Sequence, residues 1–132
     1  MIVVDASTVV AALVESGRRG EESRNALASG GRLHAPQHLP LEVVHTLRGM
    51  AMGKKLGAEA AEAALGSFAG LTVKLVPTVG AVLERVWGLR HNITAYDAAY
   101  VAVAEQLDVP LVTGDVRLAA ASGPKCEMRV LR

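Results

Sequence analysis

Residues 98–104 read Ala-Ala-Tyr-Val-Ala-Val-Ala, with Thr94 and Asp97 just before them and Glu105 just after. Alanine-rich and free of glycine and proline, the segment favours a helix, predicted over 94–106. A helix that is apolar on every face must also be covered on every face. That requirement constrains the fold more than any other feature, because a chain of 132 residues has to supply a broad apolar surface for it, and a sheet does so. Short β-branched and apolar runs at 2–4, 33–35, 71–76, 109–113 and 128–131 provide the strands. Between them lie helical stretches at 8–14, opened by Ser7 and Thr8, and at 21–28, 41–51, 58–68, 79–89 and 116–121. Gly30-Gly31 stops one, Pro40 suits the first turn of another, and the loop 17–20 carries Arg18 and Arg19. Strands alternating with helices predict one domain over 1–132, an α/β sandwich with a mainly parallel central sheet and 128–131 at its edge.

Composition closes off several functions. A 51% hydrophobic content with 20% charge excludes a disordered tail and leaves a surplus for a partner-binding surface. The net charge of +1 gives no global basic field, so any nucleic-acid contact rests on local patches. One cysteine, Cys126, rules out an internal disulfide framework and Cys-rich zinc patterns, and fits a reducing cytosol. No apolar run reaches the roughly 18 residues of a membrane span, and the start lacks a basic leader. The expectation is a soluble cytoplasmic protein that does not enter membranes.

The chemistry lies in the acids. Of four aspartates, Asp5 and Asp115 follow predicted strands directly, and Asp97 precedes the apolar helix; Glu42 stands in the first turn of another helix. Each alone is explained as a helix cap or a first-turn acid. Jointly they ask for more, since Asp5 and Asp115 share one sheet edge and right-handed crossovers bring helix starts toward it. Converging carboxylates repel unless a cation neutralises them. Mg²⁺ or Mn²⁺, bound by carboxylate and water oxygens at about 2.1 Å, suits three or four such groups, and these ions act mostly on phosphates. Thr113 could add a hydroxyl to such a centre, and Ser7 could contact substrate or support a ligand.

The blocks Val3-Val4-Asp5-Ala6-Ser7, the helix-borne Glu42, Tyr96-Asp97-Ala98-Ala99-Tyr100-Val101-Ala102-Val103-Ala104 and Leu111-Val112-Thr113-Gly114-Asp115-Val116-Arg117-Leu118 stand in the order of PIN domains. Over essentially its whole length the chain resembles VapC-type toxins. The resemblance implies a metal-dependent ribonuclease with Asp5, Glu42, Asp97 and Asp115 as its acidic quartet. It also implies a cognate VapB-type antitoxin that occludes the site, and a homodimer. It departs at Gly114, where such proteins often carry a larger or more polar residue, and glycine there loosens the loop.

Arg117, two residues past Asp115, is the cation expected nearest a bound phosphate; the clusters Arg18-Arg19, Arg48 with Lys54-Lys55, and Arg90-His91 could also contact RNA phosphates, though each alone reads better as a solvated face. Four aromatic residues are too few for stacking platforms, so RNA would be held by shape and backbone. His34, His38, His45 and His91 lack the spacing of a zinc site. The run 49–55, GMAMGKK, is one residue short of a phosphate loop and follows a helix. Asp108, before Val109-Pro110, reads as a turn residue. Two other functions compete. A haloacid-dehalogenase-like phosphatase needs a second acid where Ser7 stands; a non-catalytic PIN-like scaffold would not need all four acids.

Overall fold

In a computed structural model describing residues 1–132, β1 (Ile2–Val4) forms the centre of the sheet. Its three β-branched residues are stiff about χ1 and all are buried, the setting in which strands are favoured. It pairs in parallel with β2 (Leu33–Pro36) on one side and β4 (Leu111–Thr113) on the other, with Val3 opposite both His34 and Leu111. β3 (Val73–Val76) and β5 (Met128–Val130) complete the all-parallel order β3-β2-β1-β4-β5. The inner three strands are wholly buried, while the edge strands expose Lys74 and Arg129, charges that discourage pairing with another chain.

The chain passes from β1 to β2 through α1 (Ala6–Val14) and α2 (Arg18–Ser29), and from β2 to β3 through α3 (Leu39–Met52) and α4 (Ala58–Ala69). It then reverses past β1, reaching β4 through α5 (Gly80–Gly88) and α6 (Ala95–Leu107), and β5 through the short α7 (Val116–Ala120). Right-handed crossovers in opposite directions place α1–α4 on one face and α5–α7 on the other. The packing agrees, with α1 against α2, α3 and α4, and α5 against α6. Every residue from Ala98 to Ala104 is buried, as its all-round apolarity requires. Arg85 grips Glu105 with Nε at 2.7 Å and Nη2 at 3.2 Å, and also donates to Gly123 O, so α5, α6 and the last loop are tied together. Burial, with the Glu105 charge behind it, pushes the Cys126 thiol up and keeps it protonated. No helix is long and apolar enough to cross a membrane.

Several boundaries differ from the sequence reading, and three of them have a clear local reason. α2 begins at Arg18 because the Glu21 amide already bonds to Gly17 O, which draws Arg18 and Arg19 out of the loop into the first helical turn. β3 begins two residues late because the Leu71 amide closes the end of α4 on Phe68 O. β4 also begins late: Asp108 ends α6 in the left-handed region at φ 54°, the Val109 amide bonds back to Ala104 O, and Pro110 has no donor.

Candidate active site

The chain runs from β1 toward one edge of the sheet and from β4 toward the other, so between their carboxyl ends the connecting helices diverge and open a crevice. A cleft of about 360 Å³ occupies that place, and Asp5, Glu42, Asp97 and Asp115 all line it. Each comes from a different element: the turn after β1, the first turn of α3, the first turn of α6 and the turn after β4. Asp5 and Asp115 also cap helices, as their residue type favours. Asp5 Oδ1 accepts the Thr8 amide at 3.0 Å, and Asp115 Oδ1 accepts the amides of Arg117 and Leu118 at 2.9 and 3.2 Å. In both, the second carboxylate oxygen is left for other partners.

Hydroxyls fasten the two turns to each other. Ser7 Oγ donates to Asp5 Oδ1 at 2.6 Å and accepts the Gly114 amide at 3.0 Å. Thr113 Oγ1 donates to Asp5 Oδ2 and accepts the Asp115 amide at 2.9 Å. Thr8 Oγ1 donates to Val112 O at 3.1 Å. Asp5 is thus held on both oxygens in a site that is only 6% exposed. Burial pushes its carboxyl above the usual range despite the bonds from Ser7, Thr113 and Thr8, which pull the other way.

Asp97 is the carboxylate that feels the others. Partial burial raises it first, and the charges of Asp115, Glu42 and Asp5 raise it further. Tyr100, one turn along α6 and 2% exposed, donates its hydroxyl to Glu42 Oε1 at 2.7 Å. Burial and that bond drive the phenol far upward, so it remains a donor at any working pH. His38 Nε2 stands 3.1 Å from the same oxygen but out of line for a hydrogen bond, its ring edge-on to Tyr96 and Tyr100.

Arg117, the cation expected at the site, has an exposed side chain outside the cleft lining, and only its amide takes part. The one cation lining the cleft is Arg19, from the first turn of α2. Sequence reasoning weighed the Arg18-Arg19 pair as phosphate contacts but favoured a solvated face, and it passed over the bond from Tyr100 to Glu42. Tyr100 carries a signal, since its i, i+3 spacing from Asp97 puts both on one helix face. Arg19 carries none, because its position depends on where α2 starts and on which residue lies across from it.

The charged donors at the cleft are all carboxylate oxygens, the hard set that suits Mg²⁺ or Mn²⁺. As the side chains lie, no three of them close on a single point at ligand distance. An ion that keeps much of its water shell could be held across such a gap, and it would offset the burial and the neighbouring charges that raise Asp97.

The PIN domain family model matches residues 2–124. This chain belongs to the PIN domain family. Within the family it stands among the VapC ribonucleases: it is 44% identical to Ribonuclease VapC1 of Mycobacterium tuberculosis over 130 residues, covering 98% of this chain and 97% of that one. Identity to Ribonuclease VapC9 of the same organism is 40% over 131 residues, with 99% and 98% covered. A chain in the crystal structure of VapBC2 from Rickettsia felis, bound to a DNA fragment from their promoter, superposes on this PIN domain with a TM-score of 0.71 at 14% identity, over 100% of both chains. At that identity the likeness speaks for the fold, and it extends to the whole doubly wound sheet of this PIN domain.

Proposed function

We infer that this chain is a ribonuclease dependent on Mg²⁺ or Mn²⁺, a single 132-residue PIN domain acting as the toxin of a toxin-antitoxin pair. The observation that carries the reading is the convergence of Asp5, Glu42, Asp97 and Asp115 from four elements on one cleft. Kinship to VapC ribonucleases supports RNA as the substrate. The VapBC pairing of structural neighbours supports a VapB-type antitoxin as partner. A homodimer and a cytoplasmic site of action complete the proposal, and exposed Leu41, Trp87 and Tyr96 leave apolar surface for such contacts.

Asp5, Asp97 and Asp115 would hold the ion, with Glu42 closing the set. When bound, the ion supplies Lewis-acid activation of water and of the scissile phosphodiester. The chain itself does the positioning. Ser7, Thr113 and the Thr8 amide fix Asp5 on both oxygens, so its carboxylate has one orientation. Tyr100 holds Glu42 Oε1 and turns Oε2 toward solvent, where it can orient a water or take its proton. Val10, Ala11, Val14 and Met50 form the apolar side of the cleft and limit competing water.

Purified protein should cut total cellular RNA into discrete fragments with Mg²⁺ or Mn²⁺, and not with chelator. Asp97→Asn, purified in parallel, should abolish the fragments while its circular dichroism is unchanged. Equal cleavage by that variant would refute the site. No cleavage by either protein, together with no growth arrest on expression, would favour the scaffold reading.

A further inference from the structure

Gly114, the position at which the chain departs from its resemblance, faces Arg19. A Cβ built on Gly114 would lie 2.4 Å from Arg19 Nη2, 3.0 Å from Cζ and 3.3 Å from Nε, so the guanidinium occupies the space a larger residue would fill. Gly114 stands between Thr113 and Asp115, and this places the guanidinium at the rim of the carboxylate cleft, as its lone cation.

Arg19 makes no hydrogen bond within the chain. Arg18 beside it is committed to Glu22 at 2.8 Å, and Arg24 to Ala12 O and Glu15 O at 3.2 and 2.8 Å. For Arg19 there is only a loose approach of Nε to Glu15 Oε2 at 3.7 Å, with both side chains about two-fifths exposed. A cation in the first turn of a helix also opposes the helix dipole, so its placement is not explained by helix stability. The backbone nevertheless specifies it. Gly20 lets α2 start hard against α1, since a Cβ there would lie 1.9 Å from Glu15 O, and Arg24 clamps the same carbonyl.

The geometry points to Arg19 as a phosphate-binding residue for the RNA backbone, admitted to the cleft by the absence of a side chain at Gly114. This rests on the ribonuclease reading above and adds to it the group that attracts the substrate. The acidic quartet and Glu15, which also lines the cleft, repel a phosphodiester. A free guanidinium fork over the Gly114 backbone meets one of its non-bridging oxygens beside them. The resulting contact fixes where the phosphate sits, and needs no base-specific recognition.

The test is binding of the full chain to a fluorescein-labelled single-stranded RNA of mixed sequence, followed by anisotropy over a range of salt. Ca²⁺ is included, because it neutralises carboxylates without the tight octahedral geometry of Mg²⁺. Arg19→Gln should bind about tenfold more weakly, with a salt slope lower by about 0.7, the loss of one phosphate contact on a single strand. Arg19→Lys should keep the slope and recover part of the affinity, having the charge but not the fork. Gly114→Ala pushes aside only the far end of a flexible side chain, so it should melt with the wild type and still copy the Arg19→Gln loss. The double variant should be no worse than either single one, because both remove the same contact. If wild-type protein binds the RNA and Arg19→Gln binds it equally with the same slope, the assignment of Arg19 is overturned and the ribonuclease reading stands. Additive losses in the double variant would likewise overturn it. If the wild type does not bind RNA at all, both fall.

Discussion

Thr113→Val replaces a hydroxyl by a methyl at a position with no exposed surface, so shape is kept and two hydrogen bonds are lost. The bond donated to Asp5 goes to a buried carboxylate, and such bonds are worth about 1.5–3 kcal/mol. The Asp115 amide loses its acceptor too, but it is only partly buried and water recovers most of that, leaving about 0.5 kcal/mol. The expected loss is about 3 kcal/mol. For a chain of 132 residues the unfolding entropy is about 0.28 kcal/mol/K, so Tm should fall by roughly 11 °C. Thr113→Ser keeps the hydroxyl and gives up one buried methyl, about 1 kcal/mol or roughly 4 °C. Calorimetry with chelator at neutral pH measures both variants free of metal effects. Without the Thr113 bond the Asp5 carboxyl rises further, so the valine penalty is full where wild-type Asp5 is ionised and shrinks as acid protonates it in both proteins. A valine variant that melts at or above the serine variant would refute the reasoning, and would make Thr113 an ordinary packed strand residue.

Other outcomes follow from the same network. Asp97→Asn should lower RNA cleavage by more than about 100-fold, read on gels of total RNA, since even partners behind a metal ligand cost up to about that much. Mn²⁺ at about 100 times its dissociation constant should stabilise the wild type by about 2.7 kcal/mol, or roughly 10 °C in a melt, and should leave Asp97→Asn nearly unmoved. Asp5 and Asp97 are raised above the ordinary 3.8, so in the metal-free protein their contribution is most favourable below that value and is lost as pH rises through their shifted values. The Tm of Asp97→Asn relative to wild type in chelator should therefore climb as pH increases, and a constant difference would show that the four charges do not interact. Tyr100→Phe should cost about 1.5 kcal/mol, the low end for a bond to a carboxylate, because Glu42, whose side chain is 34% exposed, can turn to water; an unchanged Tm would mean that Glu42 is not held by the hydroxyl.

The architecture was legible because its main demand is written locally. Residues 98–104 have no polar face to give to water, and they are buried throughout. The alternation of strand and helix needed only short apolar runs and their punctuation. Asp5 and Asp115 could be read as sheet-edge acids because each follows its strand directly, and that adjacency survives folding. Glu42 and Asp97 required the further rule that crossovers return helix starts to the same edge. What escaped depends on reach across the fold. Tyr100 meets Glu42 across 58 positions of sequence, and Arg19 meets Gly114 across a gap left by a missing atom. Arg117 sits nearer than Arg19 to Asp115 in sequence, yet its amide goes to Asp115 and its side chain is exposed outside the cleft lining, which Arg19 joins. Helix starts shifted for a related reason: the carbonyl of a single glycine, Gly17, recruits three more residues into α2.

The pairing of β1 with β4 joins residues 108 positions apart, and Asp5 receives its Thr113 hydroxyl only through that pairing. Until β4 has been synthesised and docked, Asp5 keeps only its local bonds from Ser7 and Thr8 and has neither the Thr113 hydroxyl nor Asp115 beside it. Long-range closure of this kind is late in folding, because the intervening chain must be ordered before the contact is rewarded. A nascent chain still emerging from the ribosome therefore holds three separated carboxylates and no cleft. The activity proposed here would be withheld from the machinery that makes the protein until β4 and the turn after it have been made, which gives the proposed partner time to be present when the site closes.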